Sequence, residues 1–127
     1  MKITLVGEEG IRLEPIAGPM TIEAESADQL YSPFHMLGSG LAFCTYSVLA
    51  SWASSAKLDS EDIVVDVRWE FAEEPHRIGA MEMKIDWPSL SPERQSAASR
   101  VAELCAIHAT LMHSPSVTTT VTAGGGV

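Results

Sequence analysis

Residues 31–56 read YSPFHMLGSGLAFCTYSVLASWASSA, a stretch without Asp, Glu, Lys or Arg. Ser32 is a favourable N-cap residue and Pro33 fits a first helical turn, so the stretch predicts an α-helix over residues 32–56. Its length could span a bilayer, but the interspersed Ser, Thr and Gly favour a helix that is buried on most sides within a soluble fold. A chain of 127 residues has trouble covering such a helix alone, which predicts a partner subunit.

The segments on either side of this helix show the period-two alternation of strands. Residues 1–30 contain short alternating pieces separated by Gly and Pro, which indicate two or three N-terminal strands. Residues 62–88 hold two longer alternating runs joined by a polar connection that contains His76. This pattern is typical of a β-hairpin with one buried and one wet face.

A second helix is predicted over residues 91–113. Ser91 and Pro92 repeat the cap-plus-proline start. Apolar positions then recur at helical spacing and form one continuous stripe. The stripe consists of Ala97, Val101, Leu104, Cys105, His108, Leu111 and Met112.

The chain end completes the predicted element order. Residues 116–122 are rich in β-branched side chains and predict a last strand, and residues 123–127 predict a frayed tail. The order is therefore β-β-(β)-α-β-β-α-β, without a linker or a repeat. It predicts one α+β domain over residues 1–127, with a mainly antiparallel sheet and two apolar helices.

The net charge excludes one broad class of partner. The chain has 8 Lys+Arg against 17 Asp+Glu, a formal net charge of -9, so it repels phosphate backbones and no nucleic-acid partner is expected. The N-terminal apolar run is shorter than a secretory signal requires, and no membrane partner is expected. Cytoplasmic location follows by default, with thiols kept reduced.

Two cysteines carry most of the functional signal. Cys44 lies in the middle of the first predicted helix, and Cys105 lies on the apolar stripe of the second. Each alone is most simply a small buried side chain. His108 follows Cys105 by three residues on the same face, where it could lower the thiol pKa or bind a metal. Only two potential ligands lie together, so neither a metal site nor, in the absence of nucleotide-binding motifs, a cofactor is predicted.

Two short motifs and their separation resemble a known family. Pro33 lies eleven residues before Cys44, in SPFHML followed by LAFCT, which is similar to the pattern S-P-x-E-L…G-C-T. Residues 105–111, CAIHATL, are similar to C-P-V-H-R-T-L, and LSPE at residues 90–93 opens the second helix in the same way. In this order they resemble the osmotically inducible protein C and organic hydroperoxide resistance (OsmC/Ohr) family over residues 30–122.

The resemblance implies a fold, an activity and a set of site residues. It implies an OsmC-like fold in an intertwined homodimer, with two active sites at the subunit interface. It also implies a thiol peroxidase that reduces organic hydroperoxides in oxidative-stress defence. Cys44 would be the peroxidatic thiol and Cys105 the resolving thiol, with an external dithiol as reductant. Arg12, the only arginine before residue 68, would be the family arginine that polarises the thiolate.

The sequence departs from the family pattern at the acid partner of that arginine. Family members have glutamate directly after the proline, where this chain has Phe34, or one place later, where it has His35. Ala106 and Ala109 replace the common proline and arginine of the second motif. We assign Phe34, His35 and His108 to the substrate side of the predicted site.

Two other functions stay open on the sequence. A non-catalytic OsmC-fold protein could bind a small hydrophobic molecule in the interface cleft, which the missing glutamate favours and the paired cysteines oppose. A structural or partner-binding domain would use both cysteines as core side chains. In that case Cys44→Ser would lower stability and leave no activity to lose.

Overall fold

One sheet and three helices make up residues 1–125, the part of the chain that the computed structural model describes. The strands are β1 (Lys2–Leu5), β2 (Gly10–Glu14), β3 (Thr21–Ala24), β4 (Val64–Ala72) and β5 (Arg77–Asp86). The helices are α1 (Pro33–Ala56), α2 (Gln95–Ala102) and α3 (Ala106–Met112), and a 3₁₀ turn over Pro92–Arg94 leads into α2.

The sheet has the strand order β3-β1-β2-β4-β5. Neighbouring strands are antiparallel except β1 and β3, which run parallel. Alternate side chains point to one face, where Ile3, Ile11 and Val65 are buried. The predicted α+β class with a mainly antiparallel sheet is confirmed, as are the N-terminal strands and the hairpin, in which Val67 pairs with Met83.

α1 packs on the buried face of the sheet. Ser32 caps the helix by accepting a hydrogen bond from the His35 N–H at 3.2 Å, and Lys57 ends it in the left-handed conformation, with φ 59°. Gly38 allows the helix to approach Trp69, because a Cβ there would lie 2.6 Å from the indole ring. The first predicted helix is therefore confirmed with nearly its predicted bounds.

α1 buries one side and leaves another side uncovered. It is long and apolar enough to cross a membrane by length and composition alone. In this fold, however, Leu41, Leu49 and Ala53 are buried in the core that α1 shares with the sheet. Met36 is 59% exposed and Phe43 is 41% exposed. A single chain thus covers less of α1 than the sequence predicts.

The second predicted helix, 91–113, is wrong in its continuity. The chain leaves helical geometry between α2 and α3, where Cys105 has extended backbone angles of φ -58° and ψ 129°. This break buries Cys105 completely and leaves Leu104 74% exposed. Apolar spacing misses the break because α2 buries Ala98 and Ala102 in the core and Ile107 of α3 packs, partly buried, against the same core, as in one longer helix.

The predicted last strand over residues 116–122 is wrong for the single chain. Residues 114–125 contain neither helix nor strand, and Val117 and Val121 are 84% and 88% exposed. β-branched side chains favour extended backbone, but a strand also needs a hydrogen-bonding neighbour, and none of the described strands pairs with this segment. Of the tail predicted over residues 123–127, residues 126 and 127 lie outside the described part of the chain.

Candidate active site

The fold brings Cys44 and Cys105 into contact. Cys44 lies near the middle of α1 and is half-buried, whereas Cys105 lies in the break between α2 and α3 and is fully buried. Both are free thiols, and the Cys105 thiol donates a hydrogen bond to the Cys44 sulfur. Residues that are about sixty positions apart in the sequence therefore form one two-sulfur site.

The surroundings of Cys44 favour its thiolate. Burial raises the pKa of this thiol, but the hydrogen bond from Cys105 and the backbone N–H groups of Ile107 and Ala106 outweigh burial and hold the pKa below its usual value. These amides belong to the first turn of α3, where helical N–H groups have no partner within the helix. The break before α3 thus supplies neutral donors to the Cys44 sulfur.

The surroundings of Cys105 favour its protonated form. Burial raises the pKa of this thiol, and the hydrogen bond to Cys44 raises it further. The His108 N–H, 3.4 Å from the Cys105 sulfur, and the Thr45 hydroxyl oppose that rise without cancelling it. The pKa of Cys44 therefore lies below the usual value of a thiol, and that of Cys105 lies above it.

Arg12 does not reach the cysteines within one chain. Its Nε lies 2.9 Å from Asp66 Oδ1, in register across β2 and β4. Arg12 alternates with the buried Ile11 and Leu13, so it points to the sheet face opposite α1. Arg12 of the same subunit consequently takes no part in the observed surroundings of Cys44.

His35 holds the start of α1 in place and lies away from Cys44. It is 3% exposed, with Nε2 3.0 Å from the Gly7 carbonyl oxygen and Nδ1 2.7 Å from Ser32 Oγ. Nine residues separate His35 from Cys44, about two and a half helical turns, so the two side chains leave opposite sides of α1. Nε2 thus joins α1 to the turn after β1, whereas Nδ1 completes the cap of α1 with Ser32.

Phe34 and His108 both line an apolar groove of about 860 Å³, whose lining includes neither cysteine. Its walls come from α1, β5, α2 and α3, and Leu41, one turn before Cys44, also lines it. Most of the other lining side chains are apolar: Leu37, Ile78, Met81, Met83, Ile85, Leu111 and Met112. The structure thus brings Phe34 and His108 to one groove and leaves His35 outside its lining.

The far end of the groove is polar. His76 and Arg77 line it, and the His76 ring stacks on Phe71 with 4.8 Å between centroids. His76 Nδ1 lies 2.8 Å from Glu73 Oε2, and its side chain is 56% exposed. Among residues 1–125, no group of three or more His, Cys, Asp or Glu is placed to hold a metal.

Sequence reasoning missed the donors around the two sulfurs. The amides of Ala106 and Ile107 carry no side-chain signal, and a continuous helix would have used both in internal hydrogen bonds. Thr45 offered a weak signal, because it is a hydroxyl directly after Cys44 within an apolar run. The break between α2 and α3 brings the two amides to Cys44 and brings Cys105 to Thr45.

Similarity to known proteins identifies the family of this chain. A family model described as OsmC-like protein matches residues 10–120. A comparison with curated proteins found no match. The solved structure of an OsmC-like hydroperoxide resistance protein from Jannaschia sp. CCS1 is similar, at 24% identity and a TM-score of 0.62, over 80% of this chain and 72% of that one.

A second solved structure shares the fold. It is an osmotic stress induced and detoxification response protein from Psychrobacter arcticus 273-4, with 20% identity and a TM-score of 0.60, and the match covers 66% of this chain and 62% of that protein's length. At these identities the two structures support the architecture alone. Because the family model matches most of its length, this chain belongs to the OsmC-like protein family.

Proposed function

We propose that this chain is a cysteine-dependent peroxidase that reduces organic hydroperoxides in oxidative-stress defence. The observation that carries the proposal is the contact of Cys44 with Cys105, in which the pKa of the first thiol is lowered and that of the second is raised. A thiolate attacks a peroxide far better than a thiol, and a second thiol in contact can close a disulfide. Cys44 is then the peroxidatic residue and Cys105 the resolving residue.

The reaction proceeds in two chemical steps within the protein. The Cys44 thiolate attacks one peroxide oxygen, the O–O bond breaks, and the sulfur becomes a sulfenic acid while the alkoxide takes a proton and leaves as an alcohol. Cys105 then attacks the sulfenic sulfur, the S–O bond breaks, and water leaves with the Cys105 proton. An external dithiol reduces the disulfide by exchange and is itself oxidised, so the cycle uses no cofactor.

Main-chain donors replace the charged pair that the family resemblance implies. Neither Phe34 nor His35 is an acid, and Arg12 is paired with Asp66 on the other face of the sheet. The amides of Ala106 and Ile107 and the Cys105 thiol instead favour the Cys44 thiolate. This arrangement supports activity without a glutamate–arginine pair in the same subunit.

The apolar groove supports an organic peroxide as substrate. Leu41 and His108 lie at the cysteine end, and apolar side chains of α1, α3 and β5 continue away from it. An alkyl or aryl tail in this groove would bury apolar surface and point its peroxide towards Cys44. The similar protein from Jannaschia is a hydroperoxide resistance protein, which agrees with this substrate class. The need for reduced thiols and a dithiol reductant leads us to place the reaction in the cytoplasm.

The active form in this proposal is a homodimer. The exposed apolar side of α1, with Met36 and Phe43, needs cover that the single chain does not supply. Residues 116–122 offer a second argument, because this extended, β-branched segment lacks a neighbouring strand while β5 has a free edge. In a dimer, the exposed side of α1 would be covered by the other subunit, and residues 116–122 would pair with the β5 edge of the other subunit.

A single-turnover experiment tests the peroxidase. The reduced protein receives one equivalent of cumene hydroperoxide, and intact mass and peroxide loss are followed over seconds, with Cys44→Ser and Cys105→Ser in parallel. We expect a rapid loss of two mass units that is absent in both variants, and a sulfenic acid that can be trapped on Cys44 in Cys105→Ser. Unchanged mass together with unspent peroxide in the wild type would reject the peroxidase.

The groove also favours a second candidate function. Its volume of about 860 Å³ and apolar lining fit a small hydrophobic ligand independently of the cysteines. A non-catalytic protein would bind such a ligand equally well as wild type and as Cys44→Ser. Cumyl alcohol (2-phenyl-2-propanol), the reduction product of cumene hydroperoxide, has no O–O bond and is a suitable probe for calorimetric titration of both forms.

A further inference from the structure

Thr45 has an unusual environment for a helical hydroxyl, and the inference drawn from it rests on the proposed peroxidase function. Its side chain is 0% exposed, and its Oγ1 has no aligned hydrogen-bond partner within residues 1–125. Buried hydroxyls nearly always find a partner, because an unpaired one loses its bonds to water without replacement. Ser39 Oγ of the same helix also lacks a partner, but of these two hydroxyls only that of Thr45 acts on the Cys105 sulfur.

Two other helix hydroxyls make a hydrogen bond that Thr45 lacks. Ser47 Oγ donates to the Phe43 carbonyl at 2.8 Å, and Thr110 Oγ1 donates to the Ala106 carbonyl at 2.8 Å. This bond to the carbonyl four residues back is the common one for Ser and Thr inside helices. Thr45 does not make it, so its hydroxyl is available to a group outside α1.

The neighbouring group is the Cys105 sulfur. Burial and the hydrogen bond to Cys44 raise the pKa of the Cys105 thiol, and the Thr45 hydroxyl opposes that rise together with the His108 N–H. Among titratable groups, Cys44 faces Cys105 from α1, and the His108 ring lies one turn away on α3. Arg100 and Glu103, the charged residues nearest in sequence, are exposed, and the surrounding core is apolar.

We propose that Thr45 is a positioning residue for disulfide formation, whose hydroxyl donates to the Cys105 sulfur as that thiol gives up its proton to attack the Cys44 sulfenic acid. The S–S bond forms, the S–O bond breaks, and water departs with the released proton. The hydroxyl stabilises the negative charge that develops on Cys105, to which residues 1–125 bring no charged side chain. Peroxide reduction by Cys44 does not depend on it.

The test separates the two chemical steps. Thr45→Val removes the hydroxyl at constant shape, Thr45→Ser retains it, and Ser47→Ala is the matched control on the exposed side of α1. Reduced protein receives one equivalent of cumene hydroperoxide at several pH values. Quenched samples are assayed for the Cys44 sulfenic acid with a 1,3-dione probe and for the disulfide by intact mass.

We expect Thr45→Val to form the sulfenic acid at the wild-type rate and to close the disulfide about tenfold more slowly near neutral pH, the scale of one hydrogen bond to a charged group. The deficit should shrink as pH rises, because Cys105 then ionises unaided. Thr45→Ser and Ser47→Ala should match the wild type. If Thr45→Val does not fold, Thr45→Ala makes the same comparison.

Three results would overturn the inference. Equal disulfide rates in Thr45→Val and wild type at every pH would exclude a role for the hydroxyl. A deficit that is constant with pH, or shared by Thr45→Ser, would show that only packing had changed. Absence of a trapped sulfenic acid in Cys105→Ser, together with absence of the disulfide in the wild type, would reject the proposed function itself, and this inference with it.

Discussion

α1 and the α2–α3 region have similar sequence patterns but different structures. Both begin with Ser-Pro and continue with apolar residues at helical spacing, yet α1 is continuous whereas the second region stops at Ala102 and restarts at Ala106. Cys44 lies in the continuous helix and Cys105 lies in the gap. The gap frees amides that a continuous helix would have used, and they donate to the Cys44 sulfur. The two-sulfur site therefore lies where a continuous helix meets an interrupted one.

The largest expected difference between the two regions concerns stability. Leu49→Ala in α1 removes a side chain that is 0% exposed and should lower the free energy of unfolding by about 2–5 kcal/mol. Leu104→Ala in the gap, at 74% exposure, should change it by less than about 0.5 kcal/mol. Urea unfolding at equal protein concentration measures both. Equal losses would mean that the gap is not an exposed turn and would break the comparison.

A smaller effect is expected at the start of α1. His35→Ala removes the bonds from the ring to Gly7 and Ser32 and should lower the free energy of unfolding by about 1–3 kcal/mol, the scale of buried hydrogen bonds. The alkylation rate of Cys44 should stay unchanged, because His35 lies on the other side of α1. His113→Ala, at an exposed position, is the control for stability. Slower alkylation of Cys44 in folded His35→Ala would show that His35 does influence the Cys44 thiol.

The smallest predicted effect sharpens the role of the gap. Ala106→Pro places in the first turn of α3 the proline that the family resemblance puts there, a position where helices tolerate proline. The change removes one N–H donor from Cys44, so its pKa should rise by up to about one unit. Alkylation of Cys44 against pH measures the shift, and circular dichroism checks that the helices remain. An unchanged pKa would show that the Ala106 amide is dispensable.

The sequence predicted the elements whose signals are local. Period-two alternation over residues 62–88 specifies a hairpin, because neighbouring strands then share one buried face. Ser32 and Pro33 marked the start of α1 to within one residue. The pairing of Cys44 with Cys105 came from the family resemblance, since each residue alone is equally consistent with a core position.

What the sequence missed depends on non-local partners. The break before Cys105 follows from how α2 and α3 each pack on the core, and helical spacing does not record it. The strand predicted over residues 116–122 needs a neighbour that the single chain does not provide. Arg12 pairs with Asp66 of β4, far along the sequence, and this partner fixes its face of the sheet. Composition and spacing specify none of these three partners.

The alkylation rate of each cysteine against pH tests the central claim most directly. The reduced wild-type protein is treated with iodoacetamide over a pH series, and the label on each cysteine is quantified by peptide mass spectrometry. A lowered pKa keeps Cys44 ionised to lower pH, so Cys44 should react faster than Cys105 and with the lower apparent pKa. Equal apparent pKa values, or the lower value on Cys105, would contradict the division of the two sulfurs into nucleophile and resolving thiol.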